Sequence, residues 1–96
     1  MATNIRTNFI EGESLFKLSK YPEAIKLYDK VISQKGDHVE ALYKKGRCLR
    51  SIGKYQEAIE CFDKTIKLVP NHVPAYNYKG FCLQVNFSRI FQSIIQ

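Results

Sequence analysis

The chain has 96 residues, enough for one small domain with a thin core. Its hydrophobic fraction of 45% is that of a globular protein and argues against disorder. A formal charge of +6 favours acidic partners over basic ones. That excess is uneven. Through residue 38, Arg6, Lys17, Lys20, Lys26, Lys30 and Lys35 nearly balance Glu11, Glu13, Glu23, Asp29 and Asp37, and the surplus begins at Lys44. No run approaches the roughly 18 apolar residues of a membrane span. The opening stretch, MATNIRTNFIEGE, lacks the apolar core of a secretory signal. Cys48, Cys61 and Cys82 are odd in number and show no C-x-x-C spacing, which argues against a disulfide framework or a zinc site. An intracellular protein with reduced thiols is expected, in the cytoplasm or the nucleus.

The first predicted unit spans residues 5–38. Its leading helix sets Ile5, Asn8, Phe9, Gly12, Leu15 and Phe16 on one side at helical spacing. Its second helix starts at Pro22, tolerated in a first turn because the missing N–H had no partner there. Ala24, Ile25, Tyr28, Val31 and Ile32 form the apolar stripe of that helix. Gly36 is expected to end it in a left-handed conformation, and Asp37 to cap the next.

The second unit, residues 39–72, carries Leu42, Gly46 and Leu49 on its first helix. A tight Ile52-Gly53-Lys54 turn leads to a second helix striped with Ala58, Ile59, Phe62 and Ile66, closed by Pro70. Glu60–Lys64 and Asp63–Lys67 stand at the i, i+4 spacing that supports an exposed helix face. The third unit opens with Val73-Pro74-Ala75-Tyr76 and keeps Gly80 and Leu83, then stops matching at about residue 86. Where the earlier units have Ser19-Lys20-Tyr21 and Gly53-Lys54-Tyr55, it has Phe87-Ser88-Arg89. The tail, residues 87–96, repeats apolar residues at helical spacing. It either extends the fifth helix, folds back as a short cap, or joins a second copy of the chain in a homodimer. Truncation of a longer array is a further alternative. Cover for so large an apolar stripe is expected over free exposure.

The units are copies of one another. Gly12, Gly46 and Gly80 stand 34 residues apart, Lys20-Tyr21-Pro22-Glu23-Ala24-Ile25 answers Lys54-Tyr55-Gln56-Glu57-Ala58-Ile59, and His38 answers His72. A period in this range signals a stacked repeat array. A mid-helix glycine costs about 1 kcal/mol against alanine, so its recurrence implies close approach by the second helix of the same unit.

A helix–turn–helix unit of this length, with Gly46, Tyr55, Ala58, Phe62 and Pro70 at their places, resembles a tetratricopeptide repeat. The first unit matches through Gly12, Tyr21, Ala24 and Tyr28, with Gly36 where proline is usual. Glu11, Lys45 and Lys79 occupy a usually apolar place. The resemblance covers about residues 5–85. It implies an all-α fold, a right-handed superhelix of α-hairpins with two full units and a partial third, and a non-catalytic interaction scaffold or adaptor. The concave face of such a scaffold grips a peptide or partner helix with the first helix of each unit. Carried onto this chain, that groove comprises Phe9, Glu13 and Lys17, then Tyr43, Lys44, Arg47 and Arg50, then Asn77, Tyr78 and Phe81, with Arg6, Ile10, Glu40 and Gln84 beside them. Aromatic rings among basic side chains suit an acidic, partly apolar segment. One subfamily holds a chaperone's C-terminal carboxylate in a clamp of Lys, Asn and Arg. At those places stand Phe9, Glu13, Lys44, Pro74 and Tyr78, which argues against that mode.

The run Lys44-Lys45-Arg47-Arg50-Lys54 has a blander reading as a solvated helix face, and a sharper alternative as a nucleic-acid-associated surface across residues 44–54. The helices are about a turn too long for a short recognition pair. His38 and His72 read as loop or capping residues and not metal ligands, and Cys48 and Cys82 as small buried side chains. No grouping of nucleophile and base, no phosphate loop and no metal-ligand spacing stands out, so no cofactor, metal or catalysis is expected.

Overall fold

The structure is a computed structural model that describes residues 4–96; residues 1–3 of the opening stretch lie outside the described residues. Five helices follow in order: α1 (Ile5–Lys17), α2 (Tyr21–Gln34), α3 (Val39–Ser51), α4 (Tyr55–Leu68) and α5 (Val73–Ile95). There is no strand among the described residues. Each helix packs on the next in the chain, and α3 also touches α5. The result is an elongated stack of 53 × 28 × 20 Å.

The close approach expected of the glycines is present. A Cβ built on Gly12 would lie 2.9 Å from the Tyr28 ring, and one on Gly46 would lie 2.7 Å from the Phe62 ring. Tyr28 and Phe62 are the largest fully buried side chains. Each ring anchors one of two cores. Tyr28 packs with Ala24, Val31, Ala41 and Cys48, while Phe62 packs with Leu49, Ala58, Ile59, Cys61, Ala75 and Cys82. Alanines and cysteines fill the places where helices from neighbouring units meet.

The turns inside the hairpins close by backbone geometry. Gly53 has φ +83°, and Ser19, its counterpart one repeat earlier, has φ +60°. At the second turn Lys54 N–H donates to the Leu49 carbonyl and Gly53 N–H to the Arg50 carbonyl; at the first, Lys20 and Ser19 donate to Leu15 and Phe16. This paired pattern is the Schellman closure, which satisfies carbonyls at a helix end. It demands a left-handed residue, and serine adopts that conformation at a cost of roughly 1–2 kcal/mol. The place one repeat beyond Gly53 is Phe87. A bulky side chain resists a left-handed backbone, so no turn forms and α5 runs straight on to Ile95. The tail therefore extends the fifth helix, and the folded-back cap does not form.

Three further expectations are corrected. Gly36 has no positive φ, and α2 ends at an extended Lys35 instead. The cap of α3 is His38, not Asp37: its Nδ1 accepts the Ala41 N–H at 3.1 Å, and His72 Nδ1 accepts the Ala75 N–H at 3.1 Å in the same way. A neutral imidazole nitrogen serves here as the oxygen of serine or aspartate does elsewhere. Asp63 pairs with Lys79 Nζ at 2.6 Å and not with Lys67. Its counterpart Asp29 pairs with Lys45 Nζ at 2.6 Å. The unusual lysines thus tie each unit to the one before it. Glu11, at the matching place in the first unit, is exposed.

Two outcomes follow from this packing. Gly46→Leu forces a side chain into the Phe62 ring, and overpacking of this kind costs roughly 1–3 kcal/mol or more. A fall in Tm of about 4–8 °C per kcal/mol is expected by calorimetry; an unchanged Tm would contradict the close approach. The cysteines should also resist alkylation in the folded chain. All three thiols are free and buried. Burial raises each one's pKa, and the Cys48 thiol is pushed up to about 12. Labelling with iodoacetamide at neutral pH should follow unfolding of the chain, and rapid native labelling would contradict this core.

Candidate functional site

The first helix of each pair, α1, α3 and α5, contributes side chains to one shared layer. At its centre lies Arg47 of α3. Its guanidinium sits 4.9 Å from the Phe16 ring centroid, 5.0 Å from Tyr78 and 5.7 Å from Tyr43. Arg50, nearly one turn further, lies 5.0 Å from Tyr78 and 5.3 Å from Phe81. Three helices therefore meet through two guanidinium groups. Cation–π contacts are worth about 0.5–1 kcal/mol at exposed sites and more when desolvated. Together they hold side chains that would otherwise lose up to about 2 kcal/mol of rotamer freedom on being fixed.

The rings have their own support beneath. Tyr78 stacks on Phe62 at 5.9 Å and meets Tyr43 edge-on at 5.9 Å. Tyr43 packs against His72 at 4.8 Å, as Phe9 packs against His38 at 5.0 Å. Each capping histidine thus also braces an aromatic residue of the preceding unit. Burial raises the pKa of the Tyr43 hydroxyl, opposed by the charge of Arg47.

The cations divide into two groups. Lys44 Nζ lies 3.7 Å from Glu13 Oε2 and 4.8 Å from the Phe16 centroid. Glu13 Oε1 also accepts a 2.6 Å hydrogen bond from the Tyr28 hydroxyl. Burial, followed by this bond to Glu13, holds the Tyr28 hydroxyl far above its ordinary pKa. Glu13 therefore ties α1, α2 and α3 together. Lys45 points to Asp29, so the basic run does not form one face. Arg47 and Arg50 have no carboxylate partner among the described residues. Their Nε atoms are buried and lack a hydrogen-bond partner.

The expected groove residues are thus placed unequally. Tyr43, Lys44, Arg47, Arg50, Tyr78 and Phe81 form one continuous patch. Phe9 and Glu13 adjoin it but are committed to packing and an ion pair, while Lys17 and Asn77 are exposed without close partners. Phe16 was assigned by spacing to the packing side of α1, yet it stacks under both Lys44 and Arg47. The repeat register held a signal for it, since Phe16 occupies the same place in its unit as Arg50. Among the described residues no group of three His, Cys, Asp or Glu could hold a metal ion, and no helix is long and apolar enough to cross a membrane.

Comparison with known proteins places this geometry. No curated protein matches the sequence. Among solved structures, the crystal structure of MamA is 27% identical with a TM-score of 0.85, covering 90% of this chain and 50% of that one. The TPR2B domain of yeast Sti1 in complex with pHsp70 is 26% identical with a TM-score of 0.79, covering 84% of this chain and 65% of that one. The first TPR of Spaghetti (RPAP3), bound to the HSP90 peptide SRMEEVD, shares the fold at 20% identity and a TM-score of 0.83, covering 85% and 65%. The chain spans about half the length of MamA. A tetratricopeptide repeat family model matches residues 11–73, and the chain belongs to the tetratricopeptide repeat family.

Proposed function

We propose that the chain is a non-catalytic protein-interaction module whose α1–α3–α5 face binds an acidic peptide or partner helix. The observation that carries this reading is the pair Arg47 and Arg50. Their guanidinium groups lie 4.9–5.7 Å from the ring centroids of Phe16, Tyr43, Tyr78 and Phe81, while no carboxylate of the described residues engages them. A guanidinium held against rings can still offer its terminal N–H groups for forked bonds to carboxylates. Its rotamer is already fixed, so less freedom is lost on binding. The half-exposed Phe81 ring, at 45%, offers apolar area beside those donors. The Sti1 and RPAP3 structures support peptide binding as a use of this fold.

The mode differs from capture of a C-terminal carboxylate. Phe9 and Pro74 supply no charge or amide at clamp places, and Lys44 is already paired with Glu13. Carboxylates spaced along a helix fit two arginines three residues apart better than one terminal carboxylate does. Capture of such a segment would make the chain an adaptor or assembly subunit inside the cell.

The test uses a synthetic helical peptide carrying Glu at i and i+3 beside Leu and Phe. Arg47→Glu with Arg50→Glu should weaken its binding at least about 100-fold, since hydrogen bonds to charged groups are worth about 1.5–3 kcal/mol each. Circular dichroism should show helicity retained. Unchanged capture by the double variant would move the site elsewhere. A salt titration with duplex and single-stranded oligonucleotides separates the alternative of a nucleic-acid-associated surface. Phosphate-driven binding falls steeply with salt, and tight, salt-sensitive oligonucleotide binding without peptide binding would replace the proposal.

A further inference from the structure

In both complete hairpins an aromatic ring from the second helix covers the glycine of the first. Gly80 of α5 stands at the same place in the third unit, and a Cβ built there meets nothing within 4 Å. Sixteen residues beyond Gly12 and Gly46 come Tyr28 and Phe62; sixteen beyond Gly80 comes Gln96, past the end of α5. With α5 running straight to Ile95, no ring of the described residues covers this notch. Around it runs an apolar stripe of Tyr76, Leu83, Phe87, Ile90, Phe91 and Ile94, each about half exposed or more, with Phe87 at 69% and Ile94 at 75%. At helical periodicity these six and Gly80 fall within an arc of about 100°. The groove residues Asn77 and Phe81 lie outside that arc.

We infer that this stripe is the interface for the α5 helix of a second copy, packed antiparallel about a two-fold axis between Leu83 and Gln84. Three observations single out that occupant. The first is register: an antiparallel pair with this midpoint sets Phe87 of each copy opposite Gly80 of the other and Tyr76 opposite Phe91. The ring-over-glycine contact of the hairpins is thereby reproduced twice, once for each copy. An isologous interface requires this self-complementarity. The second is charge. The chain carries +6 overall, yet from Tyr76 to Ile94 the charged residues are Lys79, paired with Asp63 at 2.6 Å, and Arg89. Its guanidinium turns away from the stripe and sits 5.8 Å from the Tyr55 ring centroid on α4. Two copies can meet here without like-charge repulsion. The third is area. The six fractional exposures amount to between three and four whole side chains. At roughly 150–250 Å² for each ring, the exposed parts of Tyr76, Phe87 and Phe91 alone offer on the order of 250–420 Å² per copy, and Leu83, Ile90 and Ile94 add to it. Standard stable interfaces bury about 800 Å² per partner, so a reversible monomer–dimer equilibrium suits this area.

The Arg47–Arg50 face lies to one side of this stripe, so the dimer leaves it open. The pair would present two such faces related by the two-fold axis.

Sedimentation equilibrium of the full 96-residue chain, over a series of concentrations, provides the test. A monomer–dimer equilibrium that stops at the dimer is expected. Phe87→Glu should leave a monomer with its helical content intact by circular dichroism. Gly80→Leu is the sharper variant, because within one chain a Cβ at this place meets nothing within 4 Å, and retained helicity by circular dichroism checks that the monomer is intact. The new side chain fills the notch that receives Phe87, and at least about a tenfold weaker association is expected. Wild-type chain that stays monomeric, including one whose stripe awaits a different protein, would overturn the inference. So would open-ended association, or a dimer that Gly80→Leu and Phe87→Glu leave unchanged.

Discussion

The fold depends on an aromatic ring packed against a helix backbone where a side chain would otherwise stand. Glycine at Gly12 and Gly46 costs each first helix about 1 kcal/mol of intrinsic stability. Fully burying a ring such as Phe62 returns about 1.5–3 kcal/mol, so the close approach is favourable on balance. The same approach sets the distance between the two helices of a unit. Through that distance it decides how α1, α3 and α5 come to share a layer. A side chain at either glycine would push the second helix away and separate the rings that hold Arg47 and Arg50.

Around that frame the charges are sorted by geometry. Lys45 and Lys79 find Asp29 and Asp63 on the preceding unit. Asp29 and Asp63 are half exposed, and ion pairs of this kind contribute little to stability; their effect is to remove two cations from the pool available to a partner. Glu13 does the same for Lys44 while accepting the Tyr28 hydroxyl. What is left on the α3 face is two arginines without internal counter-charges, held by rings instead. The proposed site is thus defined as much by which cations are occupied as by which are present.

Much of this was legible as a repeat. The 34-residue spacing paired Gly12 with Gly46, placed Tyr28 and Phe62 on the buried stripes, and marked Cys48 and Cys82 as small packing residues. It also set His38 and His72 at equivalent places between units, where both turn out to be caps. The parts that could not be read off are those in which a residue acts outside its usual habit. Ser19 adopts the left-handed turn that Gly53 fills in the next unit, whereas Gly36, with no such demand on it, does not. An imidazole takes the cap that Asp37 was better suited to by type. Phe16 looked like a packing residue because its spacing matched the apolar stripe, and only the approach of α3 shows that it supports Lys44 and Arg47. The uninterrupted α5 has a local cause too, in a phenylalanine where the turn needs a positive φ.

The two outer surfaces then have different chemistry. The Arg47–Arg50 face is charged, aromatic and built from three helices; the outer stripe of α5 is apolar and belongs to a single helix. The central claim concerns the first of these: two stacked guanidinium groups are held ready for carboxylates from another polypeptide. Nuclear magnetic resonance of the arginine Nε–Hε groups tests it most directly, because these atoms are buried without a partner in the free chain. On titration with an acidic helical peptide, the Arg47 and Arg50 resonances should shift together and saturate, with Arg89 and Arg6 unmoved. Shifts confined to Arg6 or Arg89, with Arg47 and Arg50 still at saturation, would contradict it.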